Sequence, residues 1–247
     1  MENQLTVYLD DGGVMNDNQR RGAQWRRLVA EFFSPILGGD PVAWSEANWI
    51  VANRILAPVS WHRRLDAATD YARFDRDYQL DWLGGMCDLV GVPAPPAEES
   101  VALAHQATLY VTRRVRAAFP GVVEAIRALH ARGYPLHTAS GESSVDLTGY
   151  LDGMGVLGCF DRLYGPDLIG VLKGGPAFYE RLLADSGVAA REAVFVDDSP
   201  QAIGWAASVG ARTVLVSASP PADTPATIVI SRLAELPEVL ERLGNEG

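Results

Sequence analysis

The chain has very little cysteine, a single lysine and no long apolar run. Its two cysteines among 247 residues, Cys87 and Cys159, are too few for a disulfide framework and lack metal-ligand spacing, which fits a reducing, cytoplasmic setting. No stretch approaches the roughly 20 apolar residues that cross a bilayer. Met1-Glu2-Asn3-Gln4 places no basic region before an apolar one, so no secretory leader is expected. Positive charge is also short. Thirty-one acidic against 21 basic residues give a net charge of -10, a field that repels phosphate backbones and anionic membranes, so neither nucleic acid nor membrane is an expected partner. With 48% hydrophobic and 21% charged residues, the chain has ample apolar surface for a core, which excludes disordered and collagen-like classes. Of the 21 basic residues only Lys173 is a lysine. A chain that meets every other need for positive charge with arginine invites a specific reason for its one ammonium.

Leu5-Thr6-Val7-Tyr8-Leu9 is short, apolar and partly β-branched, and it stops at Asp10-Asp11-Gly12-Gly13. That pattern predicts a buried strand entering a tight loop. From residue 16 to 119 the texture changes to Trp, Ala, Leu and Arg at helical spacing, broken by Pro and Gly, which predicts four or more helices and no strand. This segment holds 12 Arg and 12 Asp or Glu, so the remainder carries the whole net charge. After Pro120-Gly121, predicted helices (Val122 to Ala131, Ser143 to Met154, Pro176 to Asp185, Pro200 to Val209) alternate with predicted strands (Pro135 to Ala139, Phe160 to Tyr164, Ala193 to Val196, Arg212 to Val216, Thr227 to Ile230). A closing helix is predicted from about Ala234 to Leu243. The alternation predicts an α/β fold: a Rossmann-like parallel sheet with helices on both faces and an inserted α-helical domain. The expected division is 1–15 with 120–247 as the core and 16–119 as the insertion.

Ligands of open parallel sheets bind beyond the carboxyl ends of the strands. Three predicted strands end in short polar side chains: Asp10-Asp11, Ser140-Gly141 and Asp197-Asp198-Ser199. With Lys173 they supply up to four carboxylates, the Ser140 hydroxyl and one ammonium. So many carboxylates in one crevice repel one another unless a cation neutralises them. Mg2+ suits an all-oxygen donor set that also receives a phosphate.

These segments, in this order, resemble the four motifs of the haloacid dehalogenase-like phosphohydrolase superfamily. Asp10-Asp11-Gly12-Gly13-Val14 is similar to the first motif, and Leu136 to Ser140 resembles the second. Lys173 followed by Pro176 and Phe178 resembles the third, and Val194 to Pro200 the fourth. Residues 16–119 occupy the place of a helical, C1-type cap. The resemblance implies an Mg2+-dependent phosphatase of a small phosphorylated metabolite, such as a sugar phosphate. Asp10 would be the nucleophile. Asp10, the Gly12 carbonyl, Asp198 and neighbouring Asp197 would surround the metal, while Ser140, Gly141 and Lys173 would bind the phosphoryl group. Asp10, Ser140 and Lys173 are the implied catalytic set.

The sequence departs from the family pattern at Gly12, where a second Asp usually protonates the leaving group and later activates water. Asp11 is no simple replacement, because adjacent strand side chains point to opposite faces. Three explanations stay open: a substrate with a good leaving group, a substitute donor, or a weakly active or silent phosphate-binding module. A dehalogenase or phosphonate-cleaving relative is a further alternative, disfavoured by the Asp197-Asp198 pair.

The run Gly153-Met154-Gly155-Val156-Leu157-Gly158 spells a dinucleotide fingerprint, but a helix precedes it and a strand follows. That order is the reverse of what pyrophosphate binding needs, so a helix C-cap and loop are expected. His62-Arg63-Arg64 and Arg113-Arg114-Val115-Arg116 are guanidinium clusters whose simplest reading is a solvated, charge-balanced face. Trp25, Trp44, Trp49, Trp61 and Trp82 are expected in the core of the insertion. His105, His130 and His137 are expected to be structural.

Overall fold

The computed structural model describes residues 5–245. The expectation that rested on the first four residues lies outside them. The chain forms two compact units, residues 1–18 with 117–247 and residues 19–116.

The first unit is built on a six-stranded sheet in which every pairing is parallel, in the order β3-β2-β1-β4-β5-β6. After β1 (Thr6–Leu9) the chain leaves through five helices of the insertion, α1 (Asn18–Leu37), α2 (Pro41–Leu56), α3 (Pro58–Ala67), α4 (Tyr71–Val90) and α5 (Ala97–Thr112). It returns through α6 (Val122–Ala131) to β2 (Leu136–Ala139), α7 (Ser144–Met154) and β3 (Arg162–Tyr164). Then follow α8 (Pro166–Ile169), α9 (Pro176–Ser186), β4 (Ala193–Asp197), α10 (Pro200–Ser208), β5 (Arg212–Val216), β6 (Ile228–Ile230) and α11 (Leu236–Asn245). The short α8 is an element that the sequence pattern does not announce. Because β1 lies centrally, with the chain proceeding to β2 on one side and β4 on the other, the crevice where strand order reverses lies at the end of β1.

Both faces of the sheet are apolar, as a parallel sheet requires. Val7 and Leu9 face a cluster with Leu136, Val194 and Val214, covered by Ile126 of α6 and Leu240 of α11. The intervening Tyr8 faces the opposite cluster with Phe195, covered by Phe178 and Leu182 of α9. Helix ends follow local chemistry. Ser143 caps α7 by accepting from Asp146 N, and Gly155 closes it at a left-handed φ of 69°. The Gly153–Gly158 run is therefore the expected C-cap and loop. The connections to and from the insertion are bonded to each other, with Asp17 N donating to the Ala117 carbonyl at 2.9 Å and Phe119 N to that of Met15 at 3.1 Å.

In the second unit, Trp44 and Trp82 are buried, and Trp82 Nε1 donates to Asn48 Oδ1 at 2.9 Å. Trp49 departs from the expectation: it is 46% exposed, with the Arg26 guanidinium 5.3 Å from its ring. Its position on α2 turns away from the stripe formed by Trp44, Ala47, Val51 and Ile55.

His137 proves structural, packed against the rings of Tyr8 and Tyr164. Its buried Nδ1 has no hydrogen-bond partner among the described residues. Burial holds its pKa below the ordinary value, while Asp161 pulls the other way. The unfolded chain therefore binds this proton more readily, so stability falls as pH drops through the ordinary histidine range near 6.5 and levels off below the folded value. His137→Phe should flatten the loss of melting temperature between neutral and mildly acidic pH. An unchanged slope in calorimetry would contradict this account.

Candidate active site

Strand register brings the expected residues together. Leu9 is level with Thr138 of β2 and Val196 of β4, so the next residues, Asp10, Ala139 and Asp197, form a row across three strand ends. Asp10 N donates to the Val196 carbonyl at 3.0 Å, which extends the pairing to the row itself.

Lys173 reaches this row from the loop before α9. Its Nζ donates to Asp10 Oδ1 at 2.9 Å, to the Ala139 carbonyl at 2.9 Å and to Asp197 Oδ2 at 2.7 Å. An ammonium has three donors, and all three are used. Burial opposes the lysine charge, but Asp10 and Asp197 outweigh it and hold the pKa well above the ordinary lysine value. The lone lysine is thus a buried component of the site.

The two oxygens of Asp197 are both committed, Oδ2 to Lys173 and Oδ1 to the Ser199 backbone amide at 2.8 Å. Ser199 in turn caps α10 through Ala202 N. Asp198 is more open. Desolvation, then the Asp10 charge, raises its carboxyl above the usual range. One carboxylate oxygen from each of Asp10, Asp197 and Asp198 lies within 4.8 Å of the others. Three negative charges face one ammonium, and the excess favours an additional cation. The donors are all oxygen, so the set fits a hard divalent ion.

The loop after β1 explains how Asp198 comes so close. Gly13 has φ 85°, and a Cβ there would overlap the Asp198 carboxylate. Only glycine combines that backbone with that approach. Gly12 has no positive φ. Asp11 is fully buried and accepts from Asn16 Nδ2 at 2.7 Å, while its carbonyl accepts from the amides of Met15 and Asn16. It therefore holds the loop and does not share the row of Asp10.

Ser140 is buried, and its Oγ accepts from Glu142 N at 3.2 Å. It follows Ala139 directly, but it makes no hydrogen bond to the three carboxylates among the described contacts. Gly141 beside it is exposed. Three contributors escape sequence reasoning. The Ala139 carbonyl is backbone and has no side-chain signature. Asn16 resembles any loop asparagine. Tyr179 of α9 is buried, and its hydroxyl has no hydrogen-bond partner among the described residues. Burial raises its phenol, Lys173 lowers it, and Asp197 and Asp10 raise it again, which marks a ring beside the charged row. The helical spacing of α9 alone marks it only as core.

The family profile of haloacid dehalogenase-like hydrolases matches residues 24–210. The chain belongs to this family. A stretch of 99 residues is 30% identical to a phosphoglycolate phosphatase of Rhodospirillum rubrum, covering 40% of this chain and 41% of that one; the match thus spans about two fifths of the relative's length. Among solved structures, an L-2-haloacid dehalogenase of Xanthobacter autotrophicus aligns over 96% of this chain and 98% of its own, at TM-score 0.63 and 17% identity. A HAD phosphatase of Thermococcus onnurineus aligns over 96% and 98%, at 0.60 and 20%. At those identities the structural likenesses speak for the fold. As a haloacid dehalogenase-like hydrolase, the chain carries its helical insertion directly after β1.

Removing the Lys173 ammonium leaves Asp10 and Asp197 buried without their partner. Lys173→Met should lower stability at neutral pH by about 3–5 kcal/mol, the usual cost of breaking a buried pair from one side. Urea unfolding measures it, and a loss below about 1 kcal/mol would show that the carboxylates do not depend on this lysine.

Proposed function

We propose that this protein is an Mg2+-dependent phosphatase of a small phosphorylated metabolite, working through a phosphorylated Asp10. The observation that carries the reading is the convergence of Asp10, Asp197 and Asp198, with oxygens within 4.8 Å of one another, beside Lys173. Displacing a halide from a carbon atom does not call for a pair of acids next to the nucleophile. Moving a charged phosphoryl group does, because those acids can hold the cation that screens one anion from the other.

Asp10, Asp198 and the Gly12 carbonyl would hold Mg2+, with Asp197 beside it, and the ion would neutralise charge on the phosphoryl group. The remaining steps belong to the chain. An Asp10 carboxylate oxygen attacks phosphorus, and the ester P–O bond breaks with its electron pair going to the departing oxygen, which takes a proton from water to become the alcohol. Water then attacks the aspartyl phosphate, returning Asp10 and inorganic phosphate. Lys173 orients Asp10 through its hydrogen bond to Oδ1 and offsets negative charge in both displacements. Ser140 and the Gly141 amide donate to the phosphoryl oxygens. Position 12 offers no acid, so the esters turned over best should be those whose leaving groups need little protonation.

The dehalogenase reading draws support from the solved relatives bearing that name, including the Xanthobacter enzyme. It predicts halide release from a 2-haloacid without added metal. The silent-module reading rests on Gly12 and predicts phosphate-ligand binding without turnover.

A panel of sugar phosphates, acyl phosphates and phosphoglycolate, assayed for phosphate release, separates the three. With Mg2+ the wild type should turn over at least one member. Chelation should abolish release, Mg2+ should restore it, and Asp10→Asn should reduce it by at least about 10³-fold. Halide release with no phosphate release would overturn the proposal.

Gly12→Asp gives a separate check. A general acid contributes about 10²- to 10⁴-fold, so the variant should accelerate hydrolysis of esters with strongly basic leaving groups more than that of acyl phosphates. Equal effects on both would remove the leaving-group argument.

A further inference from the structure

The helical insertion holds a groove that the proposed hydrolysis does not use. It lies between α3 and α4 and encloses about 480 Å³, within the usual range for a small-molecule site. Arg63, Arg64 and Ala67 line it from one face of α3; Phe74, Asp77 and Asp81 line it from the facing side of α4. No residue of α3 is buried. Trp61 meets Phe74 edge-on at 5.5 Å, yet alongside that contact the two helices leave a space open. Phe74 and Leu80 give that space an apolar wall.

The charges lining the groove are unequal. Arg64 is fixed, with Nη2 donating to Asp81 Oδ2 at 2.6 Å and its guanidinium 5.9 Å from the Tyr78 ring. Arg73 Nε stands 3.7 Å from Asp77 Oδ2, an ion pair too long for a hydrogen bond. The Arg63 guanidinium has no ion pair or hydrogen bond among the described residues. Arg64 is answered by Asp81 and Arg73 by Asp77, which leaves Arg63 as the lining guanidinium without a counter-charge among the described residues, in a chain whose net charge is -10. One singly charged anion balances Arg63, whereas a phosphate dianion overshoots. The planar fork of a guanidinium matches a carboxylate through two parallel hydrogen bonds.

We propose that this groove is a binding site for a monocarboxylate with an apolar body, its carboxylate on Arg63 and Arg73 and its body against Phe74 and Leu80. The site stands on the α3–α4 groove alone and is independent of the chemistry proposed at Asp10.

Benzoate is a suitable probe, titrated into the full chain while the guanidinium Nε–H resonances are followed by NMR, with benzyl alcohol as the neutral counterpart. Binding should saturate, shift the Arg63 and Arg73 signals, and weaken by at least about tenfold in Arg63→Gln and in Arg73→Gln. Both positions are exposed, so the variants should fold, and matching melting temperatures verify this. Asp10→Asn should bind benzoate like the wild type, which separates this result from any failure of the phosphatase reading. Absence of saturable binding, affinity unchanged in both arginine variants, or equal binding of benzyl alcohol would each overturn the proposal.

Discussion

One buried ammonium ties the site together. Lys173 joins the ends of three neighbouring strands through two carboxylates and one carbonyl, each between 2.7 and 2.9 Å. Its charge is what permits Asp10 and Asp197 to stand side by side in a desolvated place, because without it each carboxylate would drive the other toward protonation. Arginine, which the chain uses everywhere else, would not serve here. A planar fork directs its donors in fixed directions and needs more room, whereas a compact ammonium can turn its three donors toward three acceptors set around a strand-end row.

The backbone supplies the other half of this constraint. Parallel pairing with Leu9 level with both Thr138 and Val196 sets the row in register, and the Gly13 turn admits the Asp198 carboxylate where any side chain would block it. The sheet beneath is packed on both faces by aromatic and branched residues, with Tyr8 stacked on Phe195 at 4.6 Å and Phe195 against Tyr179 at 5.0 Å. Buried rings resist displacement because interiors are close-packed. The charged groups are thus held by rigid strands and by a loop closed through Asp11, Gly13 and Asn16.

Much of this architecture was legible in residue order. Short apolar runs ending in Asp10, Ser140 and Asp197 located the strands and their functional edge, because alternation and strand termination are local properties of the chain. The rarity of lysine marked Lys173. What stayed hidden depends on contacts distant in sequence. The Ala139 carbonyl acts only because Lys173, 34 residues later, points at it. Trp49 carries the same hydrophobicity as Trp44, and only the phase of α2 sends one outward and the other inward. The groove between α3 and α4 depends on how far two helices stand apart, a distance that periodicity does not encode.

The loop also constrains the chemistry. Asp11 is the acid nearest in sequence to the missing donor at position 12, yet its carboxylate is fully buried and bonded to Asn16, and its carbonyl closes the same turn onto Met15 and Asn16. Swinging that side chain toward the row of Asp10 would abandon a buried hydrogen bond and leave the Asn16 amide unsatisfied, at a cost of about 1–3 kcal/mol before any catalytic gain. Asp197 is likewise engaged, one oxygen by the Lys173 ammonium and the other by the Ser199 amide. With both acids committed to structure, the described loop gives Asp10 a neutralised, well-oriented setting for displacement but no adjacent proton donor. On the phosphatase reading proposed above, leaving-group departure rests on the substrate or on a donor from outside this loop, and a departing oxygen that is already a weak base asks least of either.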